Sequence, residues 1–154
     1  MSKDDYESIE AFRGKYWFLS NFSDYEVTYE GVIYPRLENA FQAAKTFDQR
    51  FRKKFLECTA SQAKRLGRSK EMRLVMRKDW DDVKKTIMLE LLMKKFVRNK
   101  ELAKKLKETF PKPLVEGNTW DDTYWGVCGG VGKNWLGILL MQVRDVLVDK
   151  QESR

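Results

Sequence analysis

The sequence predicts an α+β fold, a mostly helical single domain with a small β-sheet. Three observations carry that prediction. Two long segments, 80–97 and 135–148, repeat apolar residues at the spacing of one helix face. Val83, Ile87 and Leu91 do so in the first, with Met88 and Leu92 beside them; Leu136, Leu139, Leu140, Val143 and Leu147 do so in the second. Strand-like alternation is brief and confined to Val27, Tyr29, Val32 and Tyr34, either side of Glu30-Gly31, a turn pair between β-favouring residues. Finally, 154 residues with 42% hydrophobic and 13% aromatic side chains suit one domain with a packed core.

Taken in order, residues 1–8 read as a flexible tail and 9–150 as the domain. Ile9 to Phe12 is a strand-like run, and "LSNF" at 19–22 is a turn or loop. After the hairpin comes a helix over 37–48, which Pro35 suits as an approach. A second helix covers 50–57. A third is capped by Ser61 and stops at Gly67. The long helix over 80–97 ends in cations, which favour a helix C-terminus. Asn99 caps the next helix, with Leu102 and Leu106 inward, and "PKP" at 111–113 ends it. Residues 114–116 are a strand candidate. Residues 117–134 form a glycine-rich loop, and the last helix follows.

Charge and composition narrow the chemistry. The net charge is +7, distributed unevenly. Residues 51–110 hold 19 Lys and Arg against 8 Asp and Glu, while the segments before and after are mildly acidic. Solvated helix faces explain such a block; attraction to a phosphorylated or nucleic-acid partner is the sharper reading. There is no histidine, which excludes Ser-His and Cys-His nucleophile pairs and His-ligated zinc. A general acid or base must be a carboxylate, Lys, Tyr or Cys. Cys58 and Cys128 form no CxxC and read as free thiols of a reducing compartment. "MSKDDYESIE" lacks an apolar signal-peptide core, and no apolar run is long enough to span a membrane. The expected location is cytoplasmic, with no membrane partner.

Three stretches could carry a site. At about 100° per residue, Glu38, Gln42 and Lys45 project at about 0°, 40° and 340°. They share one helix face, with Ala40, Ala43, Ala44 and Phe47 on the core side. An ordinary amphipathic helix has this pattern, and so does an active-site floor. The second stretch is "WDDTYWGVCGGVGKNWLG" at 120–137, with three Trp, one Tyr, two adjacent Asp and five glycines. Loops so rich in aromatics are seldom mere connectors. Asp121 or Asp122 could supply a second carboxylate, and Tyr124 and Trp125 could stack on a planar ring. The glycines before Asn134 could admit phosphate to a helix start, or simply turn the chain into the helix. The segment is neither a P-loop nor GxGxxG. The third is "LSNF", in which Asn21 can hold a turn.

Together, in this order, these stretches resemble the NADAR family, also called YbiA-like. The matching elements are "FLSNF" (18–22), "EGVIYPRLENAFQAAKTF" (30–47), "AKRLGR" (63–68), "RKDWDDVK" (77–84), "LVEGN" (114–118) and "YWGVCGGVGKNWLGILLMQVR" (124–144). The resemblance implies a NADAR-like fold and an N-glycosidase that cleaves a ribosyl–nitrogen bond. The substrate class would be phosphorylated ribosylamino-pyrimidine intermediates of riboflavin synthesis or ADP-ribose on guanine bases, including ADP-ribosylated nucleic acid. Carried over, Glu38 is the catalytic glutamate, Lys45 the lysine proposed to form a Schiff base with the opened ribose, and Asp122 a third catalytic residue. Asn21, Phe22, Asn39, Gln42, Tyr124, Trp125, Gly130, Lys133 and Asn134 would bind substrate. No metal or cofactor is implied. Asn39 stands where the family commonly has His, Leu37 where Ser or Thr caps the helix, and Val127-Cys128 where a more polar pair is usual. The alternative is a non-catalytic module that binds ADP-ribose, a nucleotide or nucleic acid; turnover separates the two. The Trp-rich loop is expected to fold over the Glu38 face.

Overall fold

The structure, a computed structural model, describes residues 2–152. In chain order it has a 3-10 turn at Lys3–Tyr6, a 3-10 helix at Gly14–Leu19, strands β1 (Val27–Tyr29) and β2 (Val32–Tyr34), helices α1 (Leu37–Ala43) and α2 (Gln49–Lys53), and a 3-10 turn at Lys54–Leu56. Then come helices α3 (Ala60–Leu66), α4 (Lys70–Val75), α5 (Trp80–Val97) and α6 (Lys100–Glu108), strands β3 (Gly117–Asn118) and β4 (Val127–Cys128), and helix α7 (Trp135–Glu152). The class is α+β with helix predominating, as expected. Two compact units make up the chain: one comprises residues through Ser20 and from Phe96 onward, the other Asn21–Lys95.

The Asn21–Lys95 unit opens on the expected hairpin. β1 and β2 pair antiparallel with Thr28 opposite Ile33. Glu30 at φ 46° and Gly31 at φ 82° place two left-handed residues in succession, the geometry of a two-residue hairpin turn. Next, α1 buries Leu37, Ala40, Ala43 and Ala44 completely and packs on α3. It ends sooner than its expected stop at Asp48. Thr46 leaves the helix to form an antiparallel bridge with Met76, and its hydroxyl donates to the Val75 carbonyl at 2.7 Å. Phe47, expected inward, therefore lies beyond the helix; it is 59% exposed, with the Arg77 guanidinium 4.2 Å from its ring centre. Thr59, not Ser61, caps α3, and Gln62 closes the capping box. The Ser69-capped helix α4 was not expected; its six residues are too few to show a period. In α5, Ile87, Met88, Leu91 and Leu92 are buried as foreseen.

In the other unit, the strand runs expected at 9–12 and 114–116 shrink to one parallel bridge, Ile9 with Leu114. The ladder forms slightly later, where β3 pairs parallel with β4. Glycines decide its place. A Cβ on Gly117 would lie 2.1 Å from the Glu10 carbonyl oxygen, and one on Gly126 2.2 Å from that of Glu116. Only glycine lets backbones approach so closely. α6, capped by Asn99, buries Leu102 and Leu106 and packs on α7. The expected inward residues of α7, from Leu136 to Leu147, are buried. Within the expected tail, Lys3–Tyr6 forms its 3-10 turn, and Lys112 Nζ donates to the Asp4 carbonyl.

Candidate active site

α1 starts without a side-chain cap: Arg36 holds the N-cap position and Leu37 follows. An orphan N–H at a helix start needs an acceptor. The Asn21 carbonyl supplies it, accepting from Glu38 N at 3.1 Å. The "LSNF" turn thus anchors the first turn of α1. The Asn21 side-chain nitrogen lies 3.7 Å from Met88 Sδ, and its Oδ1 is buried with no hydrogen-bond partner among the described residues. Phe22 is half-buried, with Lys64 Nζ 5.9 Å from its ring centre.

The polar face of α1 is not solvated. Glu38 and Gln42 are each only 6% exposed. Gln42 Nε2 donates to Glu38 Oε1 at 2.8 Å, one helical turn apart. Burial pushes the Glu38 carboxyl above the usual carboxylate range, because an ion loses hydration there. The Gln42 hydrogen bond and the positive charges of Lys64, Lys45 and Arg68 pull the other way without prevailing. A primary amide can donate to a carboxylate or, turned over, accept from the protonated acid. As oriented, with its nitrogen toward Glu38, Gln42 favours the ionised carboxylate.

Lys45 sits just past the last turn of α1. Its N–H donates to the Gln42 carbonyl at 3.2 Å and its own carbonyl accepts from Arg77 N at 2.7 Å. The side chain is held as firmly. Nζ donates to the Gly67 carbonyl at 3.2 Å and lies 5.9 Å from the centre of the Trp80 ring. That ring in turn meets Phe41, with centroids 5.0 Å apart. Burial against these groups lowers the Lys45 pKa to about 8; Glu38 opposes the shift, while Arg68 and Lys84 add to it. An amine with that pKa is partly neutral near physiological pH and can act as a nucleophile. Burial raises the carboxyl and lowers the amine, and a pair so displaced can carry acid–base chemistry.

Asn39 shares the helix but not the cluster. It is fully buried, and its Nδ2 donates to the Phe55 and Cys58 carbonyls, each at 2.8 Å. Its nitrogen ties α1 to the 3-10 turn after α2.

The other expected residues belong to the second unit. Asp122 Oδ1 accepts from Tyr124 N at 3.2 Å and Trp125 N at 2.9 Å. Tyr124 and Trp125 meet edge to face, with centroids 4.8 Å apart, and Lys133 Nζ lies 5.8 Å from the Tyr124 ring centre. Asn134, at φ 54°, accepts from Glu116 N at 3.0 Å and donates to the Leu114 carbonyl at 2.9 Å. Gly129 and Gly130, at φ 59° and 80°, form a two-residue turn closed by reciprocal bonds between Cys128 and Val131. The phosphate role considered for this helix start is not supported. Lys133, Asn134, Trp135 and Leu136 already donate their N–H groups to the Thr123, Gly126, Tyr124 and Trp125 carbonyls. The glycines serve the turn.

Sequence reasoning gave no place in the site to Gly67, Lys64, Arg68, Trp80 or Lys84, and used Gly67 only as the stop of the third helix. The first three lie in the "AKRLGR" stretch, but an end of helix gives no periodic hint that its carbonyl meets a lysine 22 residues earlier.

Known proteins share this arrangement of sequence. The NADAR domain model matches residues 9–148. The N-glycosidase YbiA of Escherichia coli (strain K12) is 39% identical over 134 residues, covering 86% of this chain and 82% of that protein. An N-glycosidase of Nostoc punctiforme is 34% identical over 136 residues, covering 84% and 85%. A riboflavin biosynthesis protein of Vibrio vulnificus is 38% identical over 132 residues, 84% of this chain but 35% of that longer protein. The NMR structure of the E. coli protein YbiA superposes with a TM-score of 0.83 at 34% identity, over 97% of this chain and 90% of that one.

Proposed function

The chain belongs to the NADAR domain family and is an N-glycosidase, a hydrolase; on that premise we propose that it hydrolyses a ribosyl–nitrogen bond using Glu38 and Lys45. The observation that carries the proposal is the buried Glu38–Gln42 pair with Lys45 beside it, the acid pushed up and the amine brought down to about 8. Glu38 gives its proton to the departing base nitrogen as the bond from C1′ breaks. An oxocarbenium-like centre develops on the sugar. The neutral Lys45 amine attacks C1′, and opening of the ribose ring leaves an imine. The amine passes a proton to the ring oxygen as the ring opens. Water then adds to the protonated imine, the neutral amine departs, the sugar leaves as its aldehyde, and the released proton returns to Glu38. Asp122 shapes its own loop by accepting from Tyr124 N and Trp125 N.

The substrate is a phosphorylated ribosylamino-pyrimidine; the name of the Vibrio vulnificus relative supports this. A second reading, ADP-ribose on guanine of nucleic acid, draws on the basic block at 51–110. Among the described residues no helix is long and apolar enough to cross a membrane. Incubation with both substrate classes, followed by mass spectrometry, tests the proposal. Free base should appear from one class. If both substrates stay intact after overnight incubation, the protein is a binding module and the glycosidase reading fails.

A further inference from the structure

α3 stops at Gly67, and the backbone there gives no reason for glycine. Its φ of −65° and ψ of −15° are ordinary helical values, which alanine adopts freely. The reason lies in front of it. A Cβ on Gly67 would sit 1.9 Å from Gln42 Oε1 and 2.6 Å from Gln42 Cδ. That Oε1 is buried and has no hydrogen-bond partner among the described residues. The same amide donates to Glu38 through its nitrogen, and the Gly67 carbonyl accepts from Lys45. Two groups of the proposed site therefore meet at Gly67, and Glu38 is joined to it through Gln42.

We propose that Gly67 is a positioning residue for the hydrolysis: its missing side chain seats the Gln42 amide against Glu38, and its carbonyl aims the Lys45 amine. The inference rests on the reading of Glu38 and Lys45 given above. The colliding atom is the end of a flexible side chain, so Gly67→Ala leaves the fold intact and expels the Gln42 amide from its seat. Glu38 then loses the donor that favours its ionised form, while Lys64 and Arg68 at the end of α3, and Lys45, remain.

The test uses Gly67→Ala, Gln42→Ala and the double variant, each on the full chain. The first readout is the NMR titration of the Glu38 carboxyl, which needs no turnover. Gly67→Ala should raise its midpoint, as Gln42→Ala should, because the lost hydrogen bond lowered it. The double variant should match Gln42→Ala alone, since no amide is left to displace. The second readout is base release. Gly67→Ala should slow it by about a hundredfold, the scale of misplacing a reacting group by about 1 Å, with the melting temperature nearly unchanged. If Gly67→Ala does not fold, the double variant decides: folded, with the Gln42→Ala midpoint, it supports the role. An unmoved midpoint in Gly67→Ala, a double variant shifted by the sum of the singles, or a double variant that also fails to fold overturns it. If the wild-type protein releases no base at all, the proposed function fails, while the titrations still decide whether Gly67 seats Gln42.

Discussion

Glu38 on α1 and Asp122 in the loop before α7 are both carboxylates with aromatic residues close by in sequence, and their surroundings differ in kind. Glu38 is buried, meets a side-chain amide and sits among cations that only partly offset its lost hydration. Asp122 is half-buried and accepts from the backbone of the residues two and three beyond it. Its neighbours follow suit: Asn118 accepts from Trp120 N and Asp122 N, and Asn134 spans Leu114 and Glu116. One region uses its helix to hold buried polar side chains against one another. The other uses its side chains to hold the backbone. Burial and a side-chain partner set Glu38 apart; backbone N–H partners set Asp122 apart.

The largest effect expected on the first side of this contrast is at Lys45. Lys45→Arg keeps a positive charge and cannot form an imine, so turnover should be abolished. Borohydride added during turnover of the wild type should trap the sugar on the peptide containing Lys45, and label nothing in the variant. Activity retained by Lys45→Arg would leave Glu38 acting through water and Lys45 a mere charge.

Next is Glu38. Glu38→Gln preserves shape and removes the proton, and should slow turnover by about a hundredfold or more, the scale of losing a positioned acid. Its pH consequence has a definite sign. The Glu38 charge raises the Lys45 pKa, whereas burial, Arg68 and Lys84 lower it. Without that charge the lowering effects act unopposed, and the midpoint of Lys45 modification by an aldehyde reagent should fall below about 8. A midpoint that rises would mean Glu38 is not the group facing Lys45.

These two residues also mark how far sequence reading reached. The shared face of Glu38, Gln42 and Lys45 follows from helical spacing, and the buried stripes of α5, α6 and α7 from the same rule. Their burial did not follow, because a polar helix face looks identical whether it meets water or protein. The early end of α1 was hidden because Thr46 leaves the helix for Met76, thirty residues on. The cap of α3 is legible in the sequence, since Thr59 and Gln62 stand at capping-box spacing, although Ser61 offers a competing cap two residues on. The loop glycines were recognisable as necessary, but not why. Gly117, Gly126 and Gly132 admit other backbone segments, while Gly129 and Gly130 turn the chain. Spacing along a sequence cannot tell close approach from positive φ.

On the other side of the contrast, Trp125→Ala asks whether the loop offers a ring to the substrate. Stacking on a base is worth about 1–3 kcal/mol, so ligand affinity should fall by that amount with turnover of bound substrate less affected. If the ring only packs against Tyr124, the loss appears in melting temperature instead. A large drop in melting temperature with normal affinity in the folded fraction would assign Trp125 to structure alone.

Asp122 gives the smallest expected change and the sharpest check on the comparison. Asp122→Asn replaces the carboxylate by an amide whose oxygen can still accept from Tyr124 N and Trp125 N. If the loop uses Asp122 only as an acceptor, stability should move by no more than about 0.5 kcal/mol, and turnover should be near that of the wild type. Asp122→Ala removes the acceptor and orphans both N–H groups, so it should cost about 1 kcal/mol, the scale of a lost side-chain cap. Turnover should then decline only as far as the loop loosens, mainly through a raised KM. The ordering Asn above Ala is what an acceptor role demands. A chemical role demands the reverse of that tolerance: Asn would fail as completely as Ala, because neither can carry a proton. A hundredfold loss in Asp122→Asn at unchanged melting temperature would therefore make Asp122 a second working carboxylate, and the distinction between the two regions would not hold.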